Sequence, residues 1–386
     1  MEDDQSLIEI RDLYLNFYTY DGVVKALDGV SLGMRKGEIL GLVGETGCGK
    51  SVTSLSTMSI VIPPGRIERG RIDINIKGKV YDLLSLSEAT MTRVRGRYIS
   101  MIFQEPRAAL NPVYTVGDQV AEVFFHHRKA ELIEAAIAQL KKDLNRASGL
   151  KRAIYQRELS LYEKMRSNPK SLTLRLVLKT PLIRRFQNRM KVEARKFIVE
   201  MLKSLNIPDP ARVVDMYPHE LSGGMAQRAV IAMSLSCNPV MLIADEPTTS
   251  LDVTVQAQIL LLIKDLQKRF HTSILYVTHD LGVVAETCDR VAVMYAGNVA
   301  ELADVVSLFK KPLHPYTRAL LESIPRPGEK FVSIPGIVPS LVSPPKGCRF
   351  NDRCNYALDR CINVKPELVE VDKDHFVACH LYYGGK

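Results

Sequence analysis

The apolar stretch Ile39–Val43 runs without a break into Gly44-Glu-Thr-Gly-Cys-Gly-Lys50-Ser51, and a helix-favouring stretch follows from about Lys50 to Ser59. This G-x4-G-K-S spacing requires a strand, a glycine-rich turn and a helix in that order. The glycines Gly44, Gly47 and Gly49 let backbone N–H groups point inward around phosphates, where the helix N-terminus adds a favourable dipole. Lys50 supplies a cation near the outer phosphates, and Ser51 a hydroxyl for Mg²⁺. Glu45, Thr46, Cys48 and Val52 complete the candidate lining. Cys48 is a thiol in an N–H-rich loop, open either to oxidation or to a purely steric reading.

Four further segments follow in order. Gln104 comes directly after a strand candidate, Tyr98–Phe103, and Leu221-Ser-Gly-Gly precedes a good helix former, Met225–Leu235. Ser222 is an N-cap residue type, and Gly223 and Gly224 would allow a phosphate to approach closely. The apolar run Val240–Ala244 then ends in Asp245-Glu246-Pro247. Adjacent carboxylates at a strand end divide their work: Asp245 holds Mg²⁺, directly or through water, and Glu246 serves as base or water-positioner. His279 follows the strand candidate Ser273–Val277.

In this order the segments resemble the ATPase subunit of an ABC transporter. The resemblance implies that Gln104 touches Mg²⁺ and the attacking water. It makes His279 a switch residue beside the γ-phosphate and Glu246. Ser222–Gly224 would engage the ATP of an opposing subunit, and Asp252, within Ser250-Leu251-Asp252, would lie at the dimer interface. Tyr20 would stack on adenine, with Phe17 and Tyr18 as competitors. Met225 departs from the common family form, which has Gln there; the peptide-importer branch shares that change.

Three more stretches, Gln104–Pro112, Tyr217–Met225 and His314–Pro325, resemble the oligopeptide/dipeptide/nickel importer ATPases. So does the tail with Ile334-Pro-Gly, Cys348, Cys354, Cys361 and Cys379-His380. The expected fold is α/β: a RecA-like P-loop core with an antiparallel β subdomain and an inserted helical subdomain. The ATPase domain would span residues 1–325, with the helical part at about 105–235. Residues 326–386 would form a small cysteine module. Among the tail cysteines the spacings are x5, x6 and x17, with none of the close pairs usual for zinc. That pattern suits four thiolates of a [4Fe–4S] cluster better, a group the resemblance also implies, with Zn²⁺ and unmetallated thiols as alternatives. The cluster would staple a module with little core of its own.

Composition limits the remaining choices. Residues 128–196 hold 19 Lys/Arg against 6 Asp/Glu, so of the net +9 the rest of the chain carries −4. The basic character is thus local and argues against a nucleic-acid partner. The block at about 128–190 exceeds the family pattern; it reads as a solvated helical pair, or as a contact with lipid headgroups or permease loops. No apolar run reaches the roughly 18–20 residues that span a bilayer, and the acidic start Glu2-Asp3-Asp4 is unlike a signal peptide. The expectation is a peripheral protein on the cytoplasmic face of the membrane. Its partners would be two integral-membrane permease subunits, a second ATPase subunit (itself or a paralogue) and, indirectly, an extracytoplasmic binding protein. The competing expectation is a soluble ABC ATPase of translation or DNA repair.

Overall fold

The computed structural model describes residues 6–168, 187–249, 251–325, 328 and 333–383. They form two compact units, residues 1–104 with 238–386, and residues 105–237.

The first unit is built on two sheets. Strands β1 (Ser6–Thr19), β2 (Gly22–Arg35), β4 (Gly65–Ile76) and β5 (Lys79–Asp82) make an antiparallel sheet in the order β2-β1-β4-β5. The sequence marks Leu7–Ile10, Val30–Met34 and Ile72–Ile76 as strand candidates here, each shorter than the strand it belongs to. Strands β1 and β2 run 14 residues each because a two-residue turn, Tyr20-Asp21, zips them from Thr19↔Gly22 down to Ser6↔Arg35, with bulges absorbing the breaks in alternation.

The larger sheet contains β3 (Ile39–Val43), β6 (Ile99–Ile102), β7 (Met241–Asp245), β8 (Ser273–Val277), β9 (Arg290–Tyr295), β10 (Asn298–Asp304), β11 (Val369–Asp372) and β12 (His375–Val377). Its order is β11-β12-β10-β9-β3-β8-β7-β6, with β9, β3, β8, β7 and β6 parallel. Every residue of β3, β7, β8 and β9 is buried, as continuous apolar runs in a covered parallel sheet must be. The helix Val253–Phe270 buries Ile259, Leu262, Ile263 and Leu266, one helical face. Asp252 caps it by accepting from the Val255 N–H at 2.9 Å.

The tail joins this unit through strand pairing: β12 pairs antiparallel with β10 (Glu301↔Val377) and β11 pairs with β12. Side chains finish the attachment. Buried Glu301 accepts from the Leu313 and His314 N–H groups at 2.8 Å each and meets His375 Nε2 at 2.7 Å. Tyr382 donates to Leu313 O at 3.0 Å, and Phe350 packs against Tyr295, Tyr316 and His314. These contacts join the tail to the first unit's sheet and helices.

The second unit is helical. Val116–His127, Lys129–Arg146, Gly149–Ser167, Gln187–Ser204 and Gly223–Leu235 are its long helices. Leu132, Ala136, Leu140, Tyr162, Ala194, Ile198 and Leu202 supply buried apolar positions. Part of the basic block is neutralised within the unit: Arg189 donates to Asp143 at 2.7 Å and Glu158 at 2.6 Å, and stacks over Tyr155. Positions 169–186 of that block lie outside the described residues. Among the described residues no helix is long and apolar enough to cross a membrane.

His314 links the tail to acid stability. Complete burial holds its imidazole down from 6.5 to about 4, with Glu301 opposing the shift and Arg318 adding to it. A depressed folded value means that stability is full above the unfolded value and is lost as pH falls toward the folded one. Between pH 6.5 and 4 the unfolded chain takes a proton that the folded chain refuses, a loss of about 3 kcal/mol at most. Urea midpoints measured from pH 7 to 4.5 are expected to fall more steeply for the wild type than for His314→Gln; parallel curves would discard this assignment.

Candidate functional site

The turn after β3 is shaped by glycines that admit no side chain. Gly44 has φ 150°, and a Cβ there would lie 2.1 Å from Met294 O on β9. Gly49, at φ 105°, opens the helix Lys50–Thr57; its Cβ would meet Leu27 at 2.8 Å and Ala26 O at 3.0 Å. The loop is thus pressed against two strands by its own lack of bulk. Glu45 is partly buried, while Thr46 and Gly47 face solvent, as phosphate-facing backbone must. Val52 lies one residue inside the exposed Ser51.

Lys50 is buried, and its Nζ donates to Gly44 O at 2.8 Å and Glu45 O at 3.1 Å. A cation folded back onto its own loop is available to transfer those hydrogen bonds to a phosphate. Cys48 is also buried, and burial pushes its thiol up although nearby Lys50 pulls the other way. Burial and a raised thiol favour the steric reading of Cys48 over an oxidisable one.

Ser51 Oγ donates to Asp245 Oδ1 at 3.2 Å, so the hydroxyl and carboxylate expected at Mg²⁺ stand together. Burial raises the Asp245 carboxyl; the Ser51 bond lowers it, and neighbouring Glu246 raises it further. A buried carboxylate beside an exposed hydroxyl suits a small hard cation with oxygen ligands.

Glu246 gathers the remaining groups. Its backbone is left-handed, at φ 46°, which turns its side chain away from that of Asp245. His279 Nδ1 lies 3.1 Å from Oε1, and Gln104 Nε2 donates to Oε2 at 3.1 Å. Thr249 Oγ1 donates to the same Oε2 at 3.0 Å. Sequence reading missed Thr249, whose only signal is its place three residues after Glu246. The carboxylate is held by three partners in a position to orient a water.

Other expected residues sit apart from this group or in the second unit. Tyr20 occupies the exposed tip of the β1–β2 turn. Asp252 is exposed and spends its side chain on the helix cap; Ser250 lies outside the described residues. In the helical unit, Ser222 Oγ accepts from Met225 N at 3.3 Å and caps Gly223–Leu235, while Gly223 and Gly224 are half-buried at that helix's first turn.

The tail cysteines need a correction. Among the described residues no group of three or more His, Cys, Asp or Glu is placed to hold a metal ion. Cys348, Cys354, Cys361 and Cys379 are close enough to influence one another: burial first, then the neighbouring thiols, pushes Cys348 up to about 12. Burial likewise raises Cys354 and Cys379, and the Cys361 sulfur accepts from Leu358 N. The [4Fe–4S] cluster and the Zn²⁺ alternative therefore have no assembled ligand group among the described residues. In thiol titration of the native chain, Cys48 is expected to react about tenfold or more slowly than partly exposed Cys237; equal rates would show the loop to be open.

Comparison with known proteins identifies the family. A family model described as "ABC transporter" matches residues 27–249, and one described as "Oligopeptide/dipeptide transporter, C-terminal region" matches residues 300–361. A probable peptide ABC transporter ATP-binding protein of Sinorhizobium fredii is 43% identical, covering 97% of this chain and 94% of the relative. The oligopeptide transport ATP-binding protein OppD of Bacillus subtilis is 42% identical over 98% of this chain and 89% of its own length. Among solved structures, a bacterial ABC transporter cassette captured as a dimer superimposes with TM-score 0.54 at 21% identity, covering 78% of this chain and 99% of that one. The chain belongs to the ATP-binding proteins of the oligopeptide/dipeptide ABC transporters.

Proposed function

We propose that this chain is the ATP-hydrolysing subunit of a peptide importer, working on the cytoplasmic face of the membrane with two permease subunits and a second ATPase chain. The observation that carries the reading is the Glu246 carboxylate between Gln104, Thr249 and His279, in the same unit as the Ser51–Asp245 pair. The names of the relatives, peptide and oligopeptide transport, support the substrate class.

ATP is the substrate, its phosphates received by the N–H groups of Gly44–Ser51 and by Lys50. Ser51, Asp245 and Gln104 would hold Mg²⁺, which would neutralise phosphate charge. Glu246 takes the proton of, or orients, the attacking water. His279 and Gln104 fix that carboxylate from opposite oxygens, and Thr249 removes its remaining freedom. Ser222–Gly224 serve the nucleotide held by an opposing subunit, and Asp252 and Tyr20 serve the dimer interface and the adenine. Residues 105–235 would meet the permeases and residues 326–386 form an appended module. ATP drives such a cycle only by binding the closed pair better than the open one, and contact from both halves supplies that difference.

The alternative of a soluble ATPase in translation or repair has no observation in its favour, and the tail's match to a transporter C-terminal region counts against it. The tail thiols enter no step.

Glu246→Gln is expected to keep Mg-ATP binding while phosphate release falls about 100-fold or more. Thr249→Val, which removes one of three partners, is expected to slow release by a few-fold only. Wild-type release in the glutamine variant would overturn the role given to Glu246.

A further inference from the structure

Glu45, the second residue of the phosphate loop, is fixed at every polar point, and two of its partners come from far along the chain. Its N–H donates to Tyr316 Oη at 3.0 Å. Its carboxylate receives both arms of the Arg353 guanidinium, Nη1 at 2.7 Å and Nη2 at 3.1 Å. Its carbonyl accepts from Lys50 Nζ at 3.1 Å. The lysine that should reach the phosphates and the tail arginine therefore pull on the same residue.

Arg353 is built into this position. Its side chain is only 4% exposed, although it is charged. Nε donates to Pro335 O at 2.8 Å, and Nη1 also reaches Tyr295 Oη at 3.2 Å. Gly336, at φ 79°, leaves room for its stem: a Cβ there would lie 3.1 Å from Arg353 Cγ. Every direction of the fork is thus determined, and a bidentate pair fixes both distance and orientation of the carboxylate. A second strut comes from the same tail segment. Arg349 donates to Ala296 O, and the N–H of the next residue, Gly297, donates to Cys48 O at 2.8 Å.

We propose that Arg353 is a positioning residue of the nucleotide site: the tail sets the shape of the phosphate loop through the Arg353–Glu45 fork. The loop's glycines leave it free in many conformations, and each conformation that the fork removes is one that nucleotide binding need not remove. This inference rests on the phosphate-loop reading above and adds to it a role for the tail that needs no metal.

The test uses the full-length chain and Mg-ATP, with binding measured by calorimetry and hydrolysis by phosphate release. Arg353→Gln and Glu45→Gln are each expected to raise the Kd for Mg-ATP about tenfold, and KM to rise by a larger factor than kcat falls. The double variant is expected to be no weaker than either single one, because both changes break one interaction. Wild-type affinity in Arg353→Gln, or effects that simply add, would overturn the proposal. Should Arg353→Gln fail to fold, Glu45→Gln decides, and an unchanged Kd there rejects it. Failure of the wild-type chain to bind Mg-ATP would instead overturn the nucleotide reading itself.

Discussion

The candidate site depends on the seat of the phosphate loop on the strands beneath it. At Gly44 there is no space for a single methyl group before Met294 O, and at Gly49 none before Leu27. The loop can rest there only because β3 and β9 run parallel and in register, Val43 beside Val293. The seat of the loop therefore depends on that register. Lys50 and Ser51 inherit their positions from this backbone-to-backbone approach, and Ser51 meets Asp245 from there.

Neighbouring parallel strands deliver the remaining groups to the same end of the sheet. Asp245 closes β7, Glu246 leaves it in a left-handed turn and bonds back to Val277 O of β8, and His279 follows β8 two residues later. Loops at the carboxyl ends of parallel strands are where an α/β sheet collects functional groups. Because Glu246 departs from the strand geometry at φ 46°, two adjacent carboxylates take separate partners and do not compete for one.

What could be read in the sequence followed chain-local rules. The phosphate loop, the buried strands before Gly44 and Asp245, and the helix Val253–Phe270 each announce themselves within a dozen residues by spacing and period. Long-range choices left no such mark. Tyr316 and Arg353 reach Glu45 across 271 and 308 positions, and no local pattern links them. The first two strands were underestimated because bulges break the alternation that would have revealed them. The tail was read as a small module with little core of its own. Its core is largely borrowed, from Tyr295, Tyr316 and the edge of β10.

That borrowing gives the polypeptide an order of completion. Strand β10 is an unfinished edge until β12 docks on it, and β12 begins at residue 375. The guanidinium that grips Glu45 is likewise supplied by residue 353. During synthesis the segment that recognises phosphate emerges first and its restraints emerge last. A nascent product that stops short of residue 353 thus carries the glycine-rich turn without the Arg353 fork and leaves β10 without β12 beside it.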